Sequence, residues 1–271
     1  MNKNALPIGV FDSGLGGLTA FAELKRIMPG ENIIYFGDNA RIPYGTKSPA
    51  LIKKYALQDT RFLTSVGVKA ILVACGTVSS NCLPDVGAES GLPVTGVIKS
   101  PASIAAKIAA KGKGTVAVLG TTATVRSGAF QRELETLGVK NVIARACPMF
   151  VPLAESWHPS ADDAAANAIA REYLSDVALK QPDAVILGCT HYPLLSDVIK
   201  KYFPGSALIS SGRESAYEMR DMIVSLGLEN SGGGEYGFYT SDDADLFKRS
   251  AAAFLGDEIT GEVKKIDIEK F

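Results

Sequence analysis

Net charge is almost absent from this sequence: 28 lysines and arginines stand against 29 aspartates and glutamates, a formal balance of -1. A nucleic-acid surface would need a basic excess, which is missing. Long apolar runs are missing as well, and none approaches the roughly 20 residues of a membrane helix. Residues 1–6 lack the charged-then-apolar pattern of a signal peptide. The expectation is a cytoplasmic protein with no nucleic-acid partner and no membrane partner. Cysteine is scarce, at 4 of 271 residues, and histidine scarcer, at 2. The cysteines lack the close paired spacing of a disulfide framework or a zinc ribbon. In a reducing compartment such thiols stay free, so their reactivity becomes the question. What is present is ordinary: 46% hydrophobic and 21% charged residues can build a sizeable core, in one large domain or two.

Two stretches stand out from that background. Ile71-Leu72-Val73-Ala74-Cys75-Gly76-Thr77 and Val185-Ile186-Leu187-Gly188-Cys189-Thr190-His191 share one design. An aliphatic run ends in a small residue, a cysteine and then hydroxyl or imidazole groups. A continuous aliphatic run of this length reads as a buried parallel strand. Such a strand delivers its thiol to the carboxyl end, where ligands bind in open α/β sheets.

Strand, turn and helix units surround both stretches. Residues 7–11 read as a strand running into Asp12-Ser13-Gly14-Leu15-Gly16-Gly17 and a helix over 18–28. The glycine spacing does not match a dinucleotide fingerprint, so a cofactor reading is weak. A strand over 32–38 leads into a polar loop, 39–45, with Pro43, Tyr44 and Gly45, suited to a substrate wall. A helix follows over 48–66, with Leu51, Tyr55, Phe62, Leu63 and Val66 on its apolar face. After Cys75 another helix opens, and the dipole there would favour a thiolate. Cys82 inside it reads as a small buried hydrophobe.

The pattern restarts after residues 98–101. Strand 115–119 leads to Gly120-Thr121-Thr122-Ala123-Thr124 and a helix through 137, echoing Val10-Phe11-Asp12-Ser13. Strand 142–147, a loop or short helix over 148–155 and a helix over 161–179 follow. Strand 183–189 is the counterpart of the Cys75 strand. This weak duplication implies two similar α/β lobes. Beyond them we expect a helix over 214–226, a strand over 237–241, a helix over 242–255 capped near Ser241, and an extended or frayed end over 261–271. Cys147 reads as structural and His158 as a surface residue without a role.

Two thiols facing one cleft can remove a proton from one side of a carbon and return it on the other. One must be thiolate and its partner thiol, so neighbours must set the asymmetry. His191 could polarise one side and Asp12 the other. Ser13, Thr77, Thr121, Thr124 and Thr190 are short hydroxyl donors suited to carboxylates. No lysine or arginine cluster marks the pocket. A small dicarboxylate would then be held by hydroxyls, backbone N–H groups and helix dipoles. A lone strand-end cysteine is usually packing; a matched pair with His191 beside one of them is harder to explain that way.

The chain resembles glutamate racemase, in the aspartate/glutamate racemase superfamily. The likeness is carried by Asp12-Ser13-Gly14-Leu15-Gly16-Gly17, Tyr35-Phe36-Gly37-Asp38 with Pro43-Tyr44-Gly45, Ala74-Cys75-Gly76-Thr77, Phe150-Val151-Pro152 with Glu155, and Leu187-Gly188-Cys189-Thr190-His191-Tyr192-Pro193-Leu194. They span most of the chain in the family's order, and the last is the most specific. The resemblance implies cofactor-independent interconversion of L- and D-glutamate, supplying D-glutamate for bacterial peptidoglycan. It implies Cys75 and Cys189 as acid/base thiols, Asp12 and His191 as assisting groups, and Glu155 orienting His191. It places substrate contacts on Asp12, Ser13, Tyr44, Gly45, Gly76, Thr77, Thr121, Thr124, Thr190 and His191. It implies two doubly wound lobes with mostly parallel sheets, related by pseudo-twofold symmetry, with the active site between them. The first lobe would comprise 1–97 plus 209–271 and the second 98–208. No metal or cofactor is implied, and a homodimer is common.

Two positions depart from the family's pattern. Asparagine usually follows the first cysteine, where this chain has Gly76, so an amide that could reach substrate is lost and a water would fill its space. An aspartate is frequent near Ser210-Ser211-Gly212 and is absent here. Three alternatives stay open: a racemase of aspartate or another small acid, a non-catalytic binding or regulatory relative, and a zinc or thiol-redox site built from Cys75, Cys189 and His191.

Overall fold

The computed structural model describes residues 3–156 and 160–271. Its strands, in chain order, are β1 (Ile8–Asp12), β2 (Ile33–Gly37), β3 (Ala70–Val73), β4 (Val94–Gly96), β5 (Thr115–Gly120), β6 (Asn141–Ala146), β7 (Ala184–Leu187), β8 (Ala207–Ser210), β9 (Tyr236–Thr240) and β10 (Val263–Lys265). They form two sheets, one in the order β10-β9-β2-β1-β3-β4 and one in the order β6-β5-β7-β8. Every pairing is parallel.

The order β2-β1-β3-β4 repeats as β6-β5-β7-β8, which is the pseudo-twofold duplication expected from the sequence. Both faces of each sheet are covered, so the strands are aliphatic throughout rather than alternating. In the first sheet Val10 and Leu72 face one core with Phe21 and Leu24, while Phe11 and Val73 face another with Phe62 and Leu63. In the second sheet Leu119 and Leu187 pack with Phe150 and Leu174, and Val118 and Ile186 pack with Ala102 and Ala105 on the opposite side. Each lobe is thus doubly wound. The helix Lys99–Ala109 opens the second lobe, and β8 carries that sheet to Ser210. The helix Ser211–Ser225 then returns to the first lobe, burying Ala216, Met219 and Ile223 against its core.

Several details differ from the sequence reading. The expected helix through 137 is two helices, Thr122–Ser127 and Ala129–Thr136, broken at Gly128, whose φ of +67° leaves the right-handed helix. Pro49–Ser65 starts where Ser48 accepts a hydrogen bond from the Leu51 N–H. Its buried stripe runs through Ile52, Ala56, Asp59, Phe62 and Leu63, while Leu51, Tyr55 and Val66 are only half-buried. The stripe is rotated because Asp59 is drawn inward by Arg41 at 2.9 Å. The helix Ala244–Leu255 is capped by Asp243, close to the Ser241 position expected. Ser241 instead donates to Asp38 at 2.7 Å. Of the two readings of the chain end, extended and frayed, the extended one holds: β10 pairs with β9, and Ile268 is buried in the first lobe.

Candidate active site

Both thiols arrive by the same route. Phe11 pairs with Val73 across β1 and β3, and Leu119 pairs with Leu187 across β5 and β7. Each cysteine lies two residues beyond the strand end. Counting on from those pairs, Asp12 corresponds to Gly120, Gly76 to Thr190, and Thr77 to His191. The two carboxyl ends open on one cavity of about 380 Å³ between the lobes, within the range of small-molecule sites. Cys75, Cys189, Asp12, Ser13, Tyr44, Gly45, Gly76, Thr77, Thr121, Glu155, Thr190 and His191 all line it. Thr124 does not. It sits one step behind, its hydroxyl 3.0 Å from that of Thr121, whose side chain caps the helix there.

Around Cys75 the setting is buried and anionic. The thiol donates to the Ser13 hydroxyl at 3.6 Å. Asp12 is held by the Gly14 N–H at 2.9 Å, by Ser13 at 3.3 Å and by Thr190 at 3.0 Å. Burial pushes the Cys75 thiol well above its ordinary value, and the Asp12 charge adds to this. The helix beginning at Gly76 acts the other way through the Val78 N–H, but it does not win. Burial and the Asp12 charge thus oppose the dipole-stabilised thiolate expected at Cys75. Asp12 is itself raised by burial, against the opposing pull of His191 and its hydrogen-bond donors.

Around Cys189 the setting is cationic. His191 places Nδ1 3.8 Å from the Cys189 sulfur and Nε2 2.9 Å from Glu155 Oε1. Burial opposes an imidazolium here, but hydrogen bonds and charge at Cys189 and Glu155 outweigh it and push His191 up to about 10. The ring is also steadied edge-on by Phe254, 5.4 Å away.

The hydroxyls expected to meet substrate are partnered across the lobes. Thr77 and Thr121 lie 3.0 Å apart. Thr190 spans to Asp12, and its own carbonyl accepts from Thr19 at 3.2 Å. Tyr44 is fully buried with its hydroxyl shared between Asp38 and Asp59, so its ring and main chain are what remain for the cavity. Among the described residues no lysine or arginine lines the cavity. Nor do any three histidine, cysteine, aspartate or glutamate side chains there gather so as to hold a metal ion.

At Gly76 main chain of the second lobe stands where a side chain would begin. A Cβ there would lie far inside contact distance of the Gly188 carbonyl oxygen. Near the missing aspartate, Ser210 caps its helix by accepting from the Arg213 N–H at 3.3 Å. Ile42, Met149, Val151 and Thr122 also line the cavity and were not anticipated. Ile42 lies in the loop read as a substrate wall, Thr122 in the turn after strand 115–119 and Val151 in the Phe150-Val151-Pro152 motif, whereas Met149 carried no signal. Cys82 and Cys147 are buried in the cores, and His158 lies outside the described residues. No described helix is long and apolar enough to cross a membrane.

The family model described as Asp/Glu/Hydantoin racemase matches residues 18–217. A glutamate racemase of Thermus thermophilus is 42% identical over 273 residues, covering 100% of both chains. The crystal structure of Francisella tularensis glutamate racemase with D-glutamate superposes with a TM-score of 0.92 at 35% identity, covering 99% of this chain and 100% of that one. The Thermus thermophilus enzyme with β-chloro-D-alanine gives a TM-score of 0.87 at 42% identity, covering 99% of each. The chain belongs to the Asp/Glu/hydantoin racemase family, and full-length likeness sets it among the glutamate racemases.

Proposed function

We propose that this isomerase interconverts L- and D-glutamate with Cys75 and Cys189 as its two bases, using no cofactor. The observation that carries the reading is the pair of thiols at equivalent ends of β3 and β7, opening on one cavity. A thiolate on one face takes the α proton, and the electron pair stays on the substrate carbon. The thiol on the opposite face returns a proton, which inverts the centre and leaves the two sulfurs with exchanged protonation. Substrate entry would displace the Thr77–Thr121 contact, freeing hydroxyls for a carboxylate. Asp12 would assist at Cys75. His191, protonated and held by Glu155, would stabilise negative charge on Cys189. Ser13, Tyr44, Gly45, Gly76, Thr190 and, from behind, Thr124 would complete the substrate site.

On this reading the D-glutamate feeds peptidoglycan synthesis. The enzyme would work in the cytoplasm as a homodimer, with lobes 1–97 plus 209–271 and 98–208 closing on the substrate. Circular dichroism of D-glutamate, D-aspartate and other chiral acids incubated with the purified protein tests the substrate. Loss of the D-glutamate signal is expected. Loss of the D-aspartate signal alone would favour an aspartate racemase, and no loss with any acid would favour a binding protein.

A further inference from the structure

Three glycines of the first lobe lie close against the second. A Cβ at Gly16 would collide with the His191 ring and the Thr190 hydroxyl, and one at Gly45 would lie 2.8 Å from Thr121 Cβ. Those neighbours are side chains. At Gly76 the neighbour is the Gly188 carbonyl, with the Cys189 Cα 3.8 Å away. A side chain can rotate away, whereas this carbonyl is fixed by its strand. The Gly188 N–H donates to Leu119 O at 2.8 Å, and a Cβ on Gly188 itself would meet Leu119 O at 2.9 Å. Gly76 directly follows Cys75, and Gly188 directly precedes Cys189. Of these three approaches, the one against main chain therefore lies between the two residues that adjoin the thiols.

We infer that Gly76 is a positioning residue: by carrying no side chain it lets the Gly188 carbonyl close against the first lobe, and so sets the span between Cys75 and Cys189. In the second lobe the equivalent position is Thr190, whose hydroxyl reaches Asp12 at 3.0 Å. The first lobe gives up the matching side chain, and the main chain of its partner takes the space. A methyl group at position 76 would force the carbonyl back by about 1 Å to reach ordinary contact. A shift of that size can cost about 100-fold in a step that needs aligned groups. The loss would fall on racemisation, which needs both thiols at once. It would spare a reaction that needs one. With a β-chloro glutamate a single thiol removes the α proton, the electron pair forms the Cα–Cβ double bond, and chloride leaves.

The inference rests on the two-thiol reading above, and the test separates them. Racemisation of glutamate and elimination from each β-chloro glutamate enantiomer would be measured for wild type, Gly76→Ala, Gly76→Asn and Gly87→Ala. Gly87 lies on the same helix and its Cβ would meet nothing within 4 Å, so Gly87→Ala is the folding control. Gly76→Ala is expected to lose about 100-fold in racemisation kcat while elimination from each enantiomer falls far less and a cooperative melting transition is kept. Gly76→Asn is expected to lose at least as much, although it restores the residue the family usually carries. An active wild type with equally active Gly76 variants overturns this inference alone. So does a Gly76→Ala protein that loses racemisation, elimination and its melting transition together, since that marks a structural role. A wild type that is inert on glutamate overturns the two-thiol reading and this one with it.

Discussion

Cys75 and Cys189 reach the cavity from equivalent strands of equivalent sheets, yet their surroundings are opposite in sign. Cys75 lies beside a buried carboxylate, and Cys189 beside an imidazole pushed up to about 10. The register shows where the duplication breaks. Asp12 stands where the second lobe has Gly120, and His191 where the first has Thr77. Duplication of a strand and thiol supplies two thiols at equivalent positions. Substitution at neighbouring positions supplies the difference in charge that the proposed proton relay would need. An acid/base pair with identical surroundings would have no preferred resting arrangement.

The comparison breaks most severely if either sulfur is removed. Cys75→Ser and Cys189→Ser should each reduce racemisation by on the order of 10³–10⁴-fold, since a hydroxyl is far less acidic than a thiol. Each should still eliminate chloride from one enantiomer of a β-chloro glutamate, and from opposite ones, as followed by release of the 2-oxo acid. If both variants retained the same enantiomer, the two-sided arrangement would be wrong.

Removing the polarity at one side should cost less. His191→Asn should lower racemisation about 100-fold while leaving the cavity intact. Glu155→Gln, which keeps the shape and removes the charge at Nε2, should lower it about 10-fold. With less to hold its proton, His191 would ionise lower, so the alkaline limb of the pH–rate profile should move to lower pH. The same group links stability to pH. Its native value of about 10 lies above the ordinary 6.5 expected when unfolded, so the folded protein holds a proton that the unfolded chain releases. That stabilisation is complete below about pH 6.5 and is lost as the pH rises through about 10. Melting temperature measured over this window should fall for wild type and flatten for His191→Asn.

The smallest effect belongs to a cysteine outside the pair. Cys82 is buried in the first lobe's core, on the same helix that follows Cys75. Cys82→Ala should leave racemisation unchanged and cost about 1–2 kcal/mol of stability by urea denaturation.

Much of this arrangement was legible in the sequence because buried parallel strands leave continuous aliphatic runs. The runs before Cys75 and Cys189 announced β3, β7 and their duplication directly. What escaped depends on distant partners. The stripe on Pro49–Ser65 rotated because Arg41 draws in Asp59, which no helical period reveals. The chain end became a strand because β9 offers it an edge, though only Val263, Ile266 and Ile268 hinted at extension. Thr124 fell behind Thr121 because capping turns the Thr121 hydroxyl toward it. The upward push on the Cys75 thiol was hidden for the same reason. A helix start is visible in sequence, but the burial and the neighbouring carboxylate that overrule it are set by the fold.

The central claim is that the proton taken and the proton given belong to different sulfurs. Its most direct measurement is the first turnover of L-glutamate, and separately of D-glutamate, in deuterium oxide, with the α position of both enantiomers read by NMR. Two thiols on opposite faces predict deuterium in the product enantiomer and none in the substrate that remains. Deuterium accumulating equally in recovered substrate and product would mean that one group serves both faces, and would contradict it.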